Sequence, residues 1–235
     1  MNVVAVLAHQ DDEMRCLGTM LKCRERGDKL FFITLTDGSK GFVQNPSISR
    51  GEAAAIRHSE MESLVESVGG KYINIGELDE FLYDTAEVRM KLIEAIRRTG
   101  AQLIFTHYSE DYNQDHITTH SLVRHCAMQS CLPVLPTETS HLSAHPAIFM
   151  IEPFGGIHFP ASHYVDVTDY HTEKVRLLQL HASQEVAMQA AVGSGMEELC
   201  TSIELFRVEQ SGCKFAEGFI PMPSRGAIKA YSILP

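Results

Sequence analysis

Short apolar segments alternate with longer stretches of helical periodicity along the first half of the chain. The apolar segments predict four strands, at residues 3–8, 30–35, 72–75 and 101–106. The stretches between them carry helix signals, such as the capping box Ser49-x-x-Glu52 and the terminating pair Gly69-Gly70. Successive β-α units of this kind are typical of an α/β fold with a doubly wound, mostly parallel sheet flanked by helices.

The second half of the chain has a less regular pattern. We expect helices at residues 115–130, 168–182 and 196–209, and strands at 147–151, 164–167 and 213–220. Residues 132–162 contain five prolines and are predicted to form loops around one of these strands. Because no internal repeat or linker interrupts the chain, we expect residues 1–235 to form a single domain.

The charge balance excludes some classes of function. The chain has 20 Lys and Arg residues against 30 Asp and Glu residues, a formal net charge of −10, whereas nucleic-acid binding requires a surplus of basic residues. No apolar segment reaches the roughly 20 residues of a membrane span, and no basic leader precedes the first strand. We therefore expect a cytoplasmic protein that binds neither nucleic acid nor membrane. Its six cysteines are expected to be reduced, with four or more of them buried.

Histidines and aspartates cluster directly after two of the predicted strands. His9 and Asp12 follow the first strand, and residues 107–116, which end in His116, follow the fourth. Because ligands bind at the carboxyl ends of parallel strands, we expect these side chains to lie close together. His9, Asp12 and His116 form the mixed imidazole and carboxylate set of a zinc site that keeps one position for water.

Two further carboxylates in these segments are candidates for catalytic roles. Asp11 is placed to accept a proton from water, and Asp115 to orient the ring of a ligating histidine. His120, one helical turn after His116, is a rival ligand, although a packed position behind the site fits it better. A simpler alternative is that the acidic residues cap a helix and the histidines are ordinary polar residues. Two such clusters at two strand ends favour the metal site.

The sequence lacks the motifs of two other kinds of functional site. Residues 9–17 contain no glycine, so they do not form the phosphate-binding turn of a nucleotide-binding domain. No G-x-S-x-G elbow follows any predicted strand, which argues against a serine hydrolase.

The two clusters resemble a known pair of motifs. Residues 8–13 read A-H-Q-D-D-E, which resembles the A-H-P-D-D-E motif of the LmbE-like, or PIG-L, zinc-dependent N-deacetylases, and residues 113–116 read N-Q-D-H, which resembles their H-P-D-H motif. Further matches follow in the order of the family, namely Thr36-Asp37-Gly38, Arg57-x-x-Glu60, Val165-Asp166-Val167, Lys174, His181-x-Ser183-Gln184, Ala216-Glu217-x-Phe219 and Leu234-Pro235. Each match alone is weak, but the ordered set covers nearly the whole chain.

The resemblance implies a Rossmann-like, LmbE-like α/β domain and a hydrolase that acts on a linear amide C–N bond. Members of the family remove the acetyl group from an N-acetylglucosamine unit of a small molecule, giving acetate and a free amine. The resemblance implies one zinc ion per chain, or another divalent metal in its place. Carried over by position, the implied roles are metal binding for His9, Asp12 and His116, general base for Asp11, orientation of a histidine for Asp115, and contacts with sugar hydroxyls for Arg57 and Asp79.

Two positions depart from the family pattern. Gln10 replaces a proline and removes no chemical group. Asn113 replaces the histidine thought to protonate the leaving amine in some relatives, and an asparagine donates a hydrogen bond but no proton at neutral pH. We therefore expect either that Asp11 returns its proton to the amine or that another residue, such as His181, supplies one.

The sequence leaves several alternatives open. The chain is an N-deacetylase, an amidase for a larger acyl or thiol-conjugated amide, or a metal-binding homologue that Asn113 has made catalytically weak. The loops at residues 132–162, with His141, His145 and the turn at residues 155–158, are expected to form the substrate-selective wall. Relatives often assemble as homo-oligomeric trimers or hexamers, but no residue here identifies an interface, so the sequence leaves the oligomeric state open.

Overall fold

The computed structural model describes residues 1–223 of the chain. Its strands are β1 (Asn2–Leu7), β2 (Lys29–Thr36), β3 (Lys71–Glu77), β4 (Leu103–Thr106), β5 (Ala147–Ile151), β6 (His163–Asp166) and β7 (Ala216–Pro221). They form one seven-stranded sheet in the order β3-β2-β1-β4-β5-β7-β6. The first five strands of this order are parallel, and β7 runs antiparallel to both β5 and β6. The mostly parallel sheet of the sequence prediction is thus confirmed.

Helices cover both faces of the sheet. They are α1 (Leu17–Glu25), α2 (Arg50–Ser67), α3 (Ala86–Thr99), α4 (Gln114–Gln129), α5 (His171–Leu178), α6 (Ala182–Val192), α7 (Met196–Phe206) and α8 (Val208–Ser211). Alternate residues of β1 enter two separate cores, with Val3 and Ala5 among residues of α1 and α2, and Val4 and Val6 among residues of α3 and α4. Burial on both faces explains why β1 is a continuous apolar run.

The first predicted helix differs from the structure at its start. Apolar residues at helical spacing predict a helix from Asp12 to Gly27. In the structure, residues Asp12–Arg15 form a single 3-10 turn and α1 begins at Leu17. The break lies at Cys16, whose φ of −143° is not helical. The turn keeps the acidic residues at the end of β1 and out of the regular helix.

The C-terminal helices also differ from the prediction. The helix predicted at residues 168–182 ends at Leu178, and a second helix, α6, follows the non-helical His181. The last predicted helix is divided at Arg207 into α7 and α8. The local cause of the first break is His181, which caps α6 with a ψ of 59° and whose side chain is held by Glu13.

Several smaller expectations can be compared with the structure. Four of the six cysteines are buried, as expected, and none forms a disulfide within residues 1–223. Ser49 and Glu52 form the predicted capping box at the start of α2. Within residues 1–223, no helix combines the length and the apolar character that crossing a bilayer requires. The matched pair Leu234-Pro235 lies outside the described residues.

Candidate metal centre

The candidate site lies where the strand order reverses. β1 and β4 are parallel neighbours in the sheet, with Val3 opposite Leu103, so their carboxyl ends open side by side. The segments that follow these strands bring together His9 and His116, which are 107 residues apart in the chain, with 3.2 Å between His9 Nδ1 and His116 Nε2. This reversal point is the place where open α/β sheets bind their ligands.

His9, Asp12 and His116 have the spacing of a metal-ligand set. Asp12 Oδ2 lies 3.4 Å from His9 Nδ1, and Asp12 Oδ1 lies 3.2 Å from His116 Nε2. Ligands bound to zinc at about 2.0–2.1 Å in a tetrahedron are separated by about 3.3 Å. The three predicted ligands therefore fit one ion with a fourth position open, and they form one of the groups in residues 1–223 that could hold a metal.

The other ring nitrogen of each histidine faces a carboxylate. Asp111 Oδ2 lies 2.9 Å from His116 Nδ1, and Asp79 Oδ1 and Asp115 Oδ2 lie 3.0 and 3.4 Å from His9 Nε2. Such carboxylates fix the orientation and tautomer of a ligating imidazole. Asp115, predicted to orient a histidine, thus lies beside His9, while Asp111 does this for His116.

The charges around the histidines favour a bound cation. Burial lowers the pKa of His116, but the carboxylates of Asp12 and Asp111 have the larger combined effect and raise that pKa to about 9. Burial likewise lowers the pKa of His9, and the carboxylates of Asp115, Asp12 and Asp79 raise it well above its usual value. A site that holds protons this strongly also attracts a divalent metal, which takes their place on the imidazole nitrogens.

Asp11 is held in a strained backbone conformation beside the three ligands. Its φ is 112°, a value that residues other than glycine rarely adopt. The Asp11 backbone N–H donates to Glu13 Oε2 at 3.0 Å, and Arg57 Nη2 donates to the Gln10 carbonyl and lies 3.3 Å from Asp11 Oδ1. Burial raises the pKa of the Asp11 carboxyl, and the Arg57 guanidinium opposes this effect. Such strain is typical of functional sites.

His181 lies behind the cavity wall, where it contacts Glu13. Its Nε2 lies 2.6 Å from Glu13 Oε1, its side chain is 0% exposed, and it does not line the cavity. Since Glu13 also binds the Asp11 backbone, His181 supports Asp11 through one intermediate residue. His181 is therefore outside the lining of the cavity, and its predicted role as a proton donor stays a prediction.

Asn113 is the N-cap residue of α4. Its Oδ1 accepts hydrogen bonds from the backbone N–H groups of Asp115 at 2.8 Å and His116 at 3.3 Å. The cap satisfies amides of the first helical turn, the turn that carries His116. Because Oδ1 is occupied, only the amide nitrogen of Asn113 remains to contact a ligand in the cavity it lines.

Two further histidines pack against the cluster, His107 in the cavity wall and His120 behind it. His107 stacks on His116 with ring centroids 4.0 Å apart. Burial and the neighbouring His116 lower the pKa of His107 to about 4, and its Nε2 accepts the Ala8 N–H at 3.0 Å. His120, the rival ligand, is buried with Nδ1 3.0 Å from the His107 carbonyl oxygen. This places it behind the ligand set, as the sequence favoured.

These residues open into a cavity of about 290 Å³. Arg57, Asp79 and Asn113 line it together with the three ligands and Asp11. The loop prediction fits in part, since residues 151–154 line the cavity, whereas His141, His145 and His158 do not. Much of the remaining wall comes from α6 and α7 and is apolar, contributed by Ala187, Met188, Ala191, Met196 and Leu199.

Sequence reasoning missed Asp111, Glu13 and His107 as parts of the site. Asp111 and Asp115 both precede His116 in one acidic segment, and only the helix start at Gln114 decides which of them faces which histidine. Glu13 belongs to the first motif, but its contact with His181 joins residues 168 positions apart. Spacing in the chain carries no signal for such a contact.

Comparison with known proteins agrees with the fold and with the first motif. The family model described as PIG-L, GlcNAc-PI de-N-acetylase, matches residues 4–127. A diacetylchitobiose deacetylase of Thermococcus kodakarensis is 26% identical over 226 residues, covering 93% of this chain and 83% of the relative.

Two solved structures have the same fold at low sequence identity. The N,N'-diacetylchitobiose deacetylase from Pyrococcus horikoshii has a TM-score of 0.81 and 24% identity, covering 94% of this chain and 83% of its own. GalB, the 4-carboxy-2-hydroxymuconate hydratase from Pseudomonas putida KT2440, has a TM-score of 0.82 and 19% identity, covering 98% of this chain and 100% of its own. Since the family model covers more than half of the sequence, including the segments that carry all three candidate metal ligands, the chain belongs to the PIG-L family.

Proposed function

We propose that this chain is a metal-dependent hydrolase that removes the N-acetyl group from a small molecule carrying an N-acetylglucosamine-type sugar. The observation that carries the proposal is the spacing of His9, Asp12 and His116, with the half-buried Asp11 carboxylate beside them. Family membership supports the same reaction. Because GalB, a hydratase, shares the fold, the reaction has to be argued from the side chains and not from the sheet.

The proposed mechanism assigns each side chain a step. A divalent metal, which we propose to be one zinc ion, polarises an amide carbonyl and makes water more acidic when bound at this site. Asp11 accepts a proton as water attacks the carbonyl carbon, and its raised pKa suits it to hold that proton. Asp11 then returns the proton to the nitrogen as the C–N bond breaks, so that acetate and a free amine leave.

Three other residues support this sequence without exchanging a proton. Arg57 fixes Asp11 and the Gln10 carbonyl, which keeps the base in its strained conformation. The Asn113 amide nitrogen can donate a hydrogen bond to the developing oxyanion. Asp79 and Arg57 line the cavity and are proposed to contact sugar hydroxyls, as in relatives.

The test is acetate release from the zinc-loaded protein, with Asp11→Asn as the critical variant. We expect wild type to deacetylate N-acetylglucosamine or N,N'-diacetylchitobiose, and Asp11→Asn to lose about 10² to 10⁴ in rate because the general base is absent. Metal analysis of both proteins is the control, since Asp11 is not a proposed ligand. Full activity in Asp11→Asn at equal metal content would show that the base is misassigned.

The same assay separates the remaining alternatives. N-hexanoylglucosamine cleaved faster than N-acetylglucosamine would favour an amidase for larger acyl groups. Bound zinc with no release from any substrate would favour a catalytically weak metal-binding homologue. The trimer or hexamer suggested by the resemblance stays a prediction.

A further inference from the structure

Arg15 is a cation in the wall of the cavity that the proposed mechanism does not use. The residue ends the 3-10 turn after β1, is only 9% exposed and lines the same cavity as His9 and Asp12. Its Nη1 donates to the Leu199 carbonyl oxygen at 3.3 Å, which places the guanidinium against α7. Across residues 1–223, no ion pair within 4.0 Å includes Arg15.

Most carboxylates that line the cavity do not neutralise this charge, because they face other basic groups. The pairs along the cavity are Asp11 with Arg57, Asp12 with His107 and His116, Asp79 with His9, Asp111 with His116, and Glu152 with Arg207. The backbone carbonyl of Leu199 uses one N–H donor of the Arg15 guanidinium and leaves the others for another partner.

The surroundings of Arg15 make an unpaired charge costly. Arg15 is only 9% exposed, its guanidinium lies against the backbone of Leu199, and Met14, Met196 and Leu199 line the same cavity. A charge taken out of water is disfavoured unless a partner of opposite sign compensates it. In the same low-dielectric surroundings, the attraction between a guanidinium and an anion is stronger than it is in water.

We infer that Arg15 binds an anionic group, a carboxylate or a phosphate, on the N-acetylated substrate. The inference rests on the proposed function, and it narrows the substrate class from any N-acetylated amino sugar to one that carries a negative charge. Because Arg15 and the proposed metal ligands line one cavity, the anion and the amide belong to a single molecule. The guanidinium fork matches the oxygens of both anions.

The test compares neutral and anionic substrates in wild type and Arg15→Gln. The probes are N-acetylglucosamine, N-acetylglucosamine 6-phosphate and N-acetylmuramic acid, which carry no charge, a phosphate and a carboxylate. We expect kcat/KM for the favoured anionic probe to fall at least about tenfold in Arg15→Gln, mainly through KM, because a hydrogen bond to a charged group is lost. The neutral probe should change less than about twofold, and the anion affected more identifies the group.

Two control variants separate a local contact from general effects. Arg98→Gln removes the same charge from an exposed position of α3, and we expect it to leave every probe unchanged. Arg15→Lys keeps the charge without the planar fork, and we expect it to retain part of the preference for the anionic probe. Equal losses for neutral and anionic probes in Arg15→Gln would overturn the inference, since they would indicate a structural role.

Calorimetric titration in the presence of a chelator tests the anion contact without turnover. We expect one anionic probe to bind wild type at least about tenfold more tightly than N-acetylglucosamine, and Arg15→Gln to lose this difference. If wild type shows no such preference, the inference is wrong whether or not the protein is a deacetylase. If the preference is present but no acetate is released, the proposed function fails while the anion site stands.

Discussion

At the residue scale, the carboxylate behind a candidate ligand orients that ligand. Asp111 is the partner of His116 Nδ1 at 2.9 Å. His116 holds the pKa of Asp111 below its usual value although burial raises it. The pair therefore fixes the ring so that its other nitrogen, Nε2, faces Asp12 and His9.

We predict that Asp111→Asn weakens metal binding by about 10- to 100-fold, because an amide holds the imidazole less firmly than a carboxylate does. The measurement is competition for zinc with a chromogenic chelator. Asp84→Asn is the control, since this residue pairs with Arg89 on the surface, away from the cavity. Unchanged affinity in Asp111→Asn would mean that the packing around His116 suffices to orient it.

The identities of the candidate site residues were easier to predict from the sequence than the contacts between them. The sequence predicts that His9, Asp12 and His116 lie together, because each follows a recognisable strand and belongs to a motif of mixed ligands, and the structure brings them together. Arg15 was not found, because its unpaired state appears only when the neighbouring carboxylates are seen to face other groups. Within residues 1–223, Arg15 has no acidic partner, which is a property of contacts in space. The order of residues along the chain does not reveal it.

At the scale of the element, the N-terminus of α4 links helix stability to the metal site. Asn113 caps the first turn of α4, and His116 lies in that turn. Asn113 therefore supplies a favourable cap residue at the position where the family motif has a histidine.

We predict that Asn113→Ala lowers the free energy of unfolding by about 1 kcal/mol and also weakens zinc binding, because the first turn of α4 frays. Ser49→Ala is the matched control, since Ser49 caps α2 by the same bond to a backbone N–H. Ser49→Ala should lower the free energy of unfolding, measured by urea denaturation, by a similar amount and leave zinc affinity unchanged. Equal zinc affinity in both variants would show that the cap does not position His116.

The strands were predicted more closely than the helices. The residues of β5 were predicted as observed, and β1 to β4 differ only at their ends. β1 and β4, which are buried on both faces, leave clear apolar runs. The helix predicted at residues 168–182 failed for a different reason. A tertiary contact between His181 and Glu13 interrupts it, and helical periodicity continues on both sides of the break.

At the scale of the whole molecule, a buried ion cluster joins four elements. Lys174 of α5 donates to Glu204 of α7 at 2.5 Å and to Glu217 of β7 at 2.6 Å. Glu217 also accepts the backbone N–H groups of Gly18 and Thr19 at the start of α1. The cluster therefore joins the antiparallel edge of the sheet to the first helix after the metal-ligand turn.

We predict that Lys174→Met destabilises the protein by about 3–5 kcal/mol, because two buried carboxylates lose their common cation. Lys91→Met is the control, since Lys91 forms exposed pairs with Glu77 and Glu87 and should cost less than about 1 kcal/mol. Urea denaturation of both variants measures the difference. A loss below about 1 kcal/mol in Lys174→Met would show that another group neutralises the carboxylates.

The distance along the chain between His9 and His116, 107 residues, determines when the protein can take up its metal during synthesis. At about 5–20 residues per second, a ribosome completes His116 roughly 5–20 s after His9. In that interval the nascent chain carries only part of the ligand set, and β1 lacks the β4 neighbour that aligns the two strand ends. We therefore expect tight metal retention to begin only once β4 has docked, so that loading coincides with maturation of the fold rather than with the start of translation.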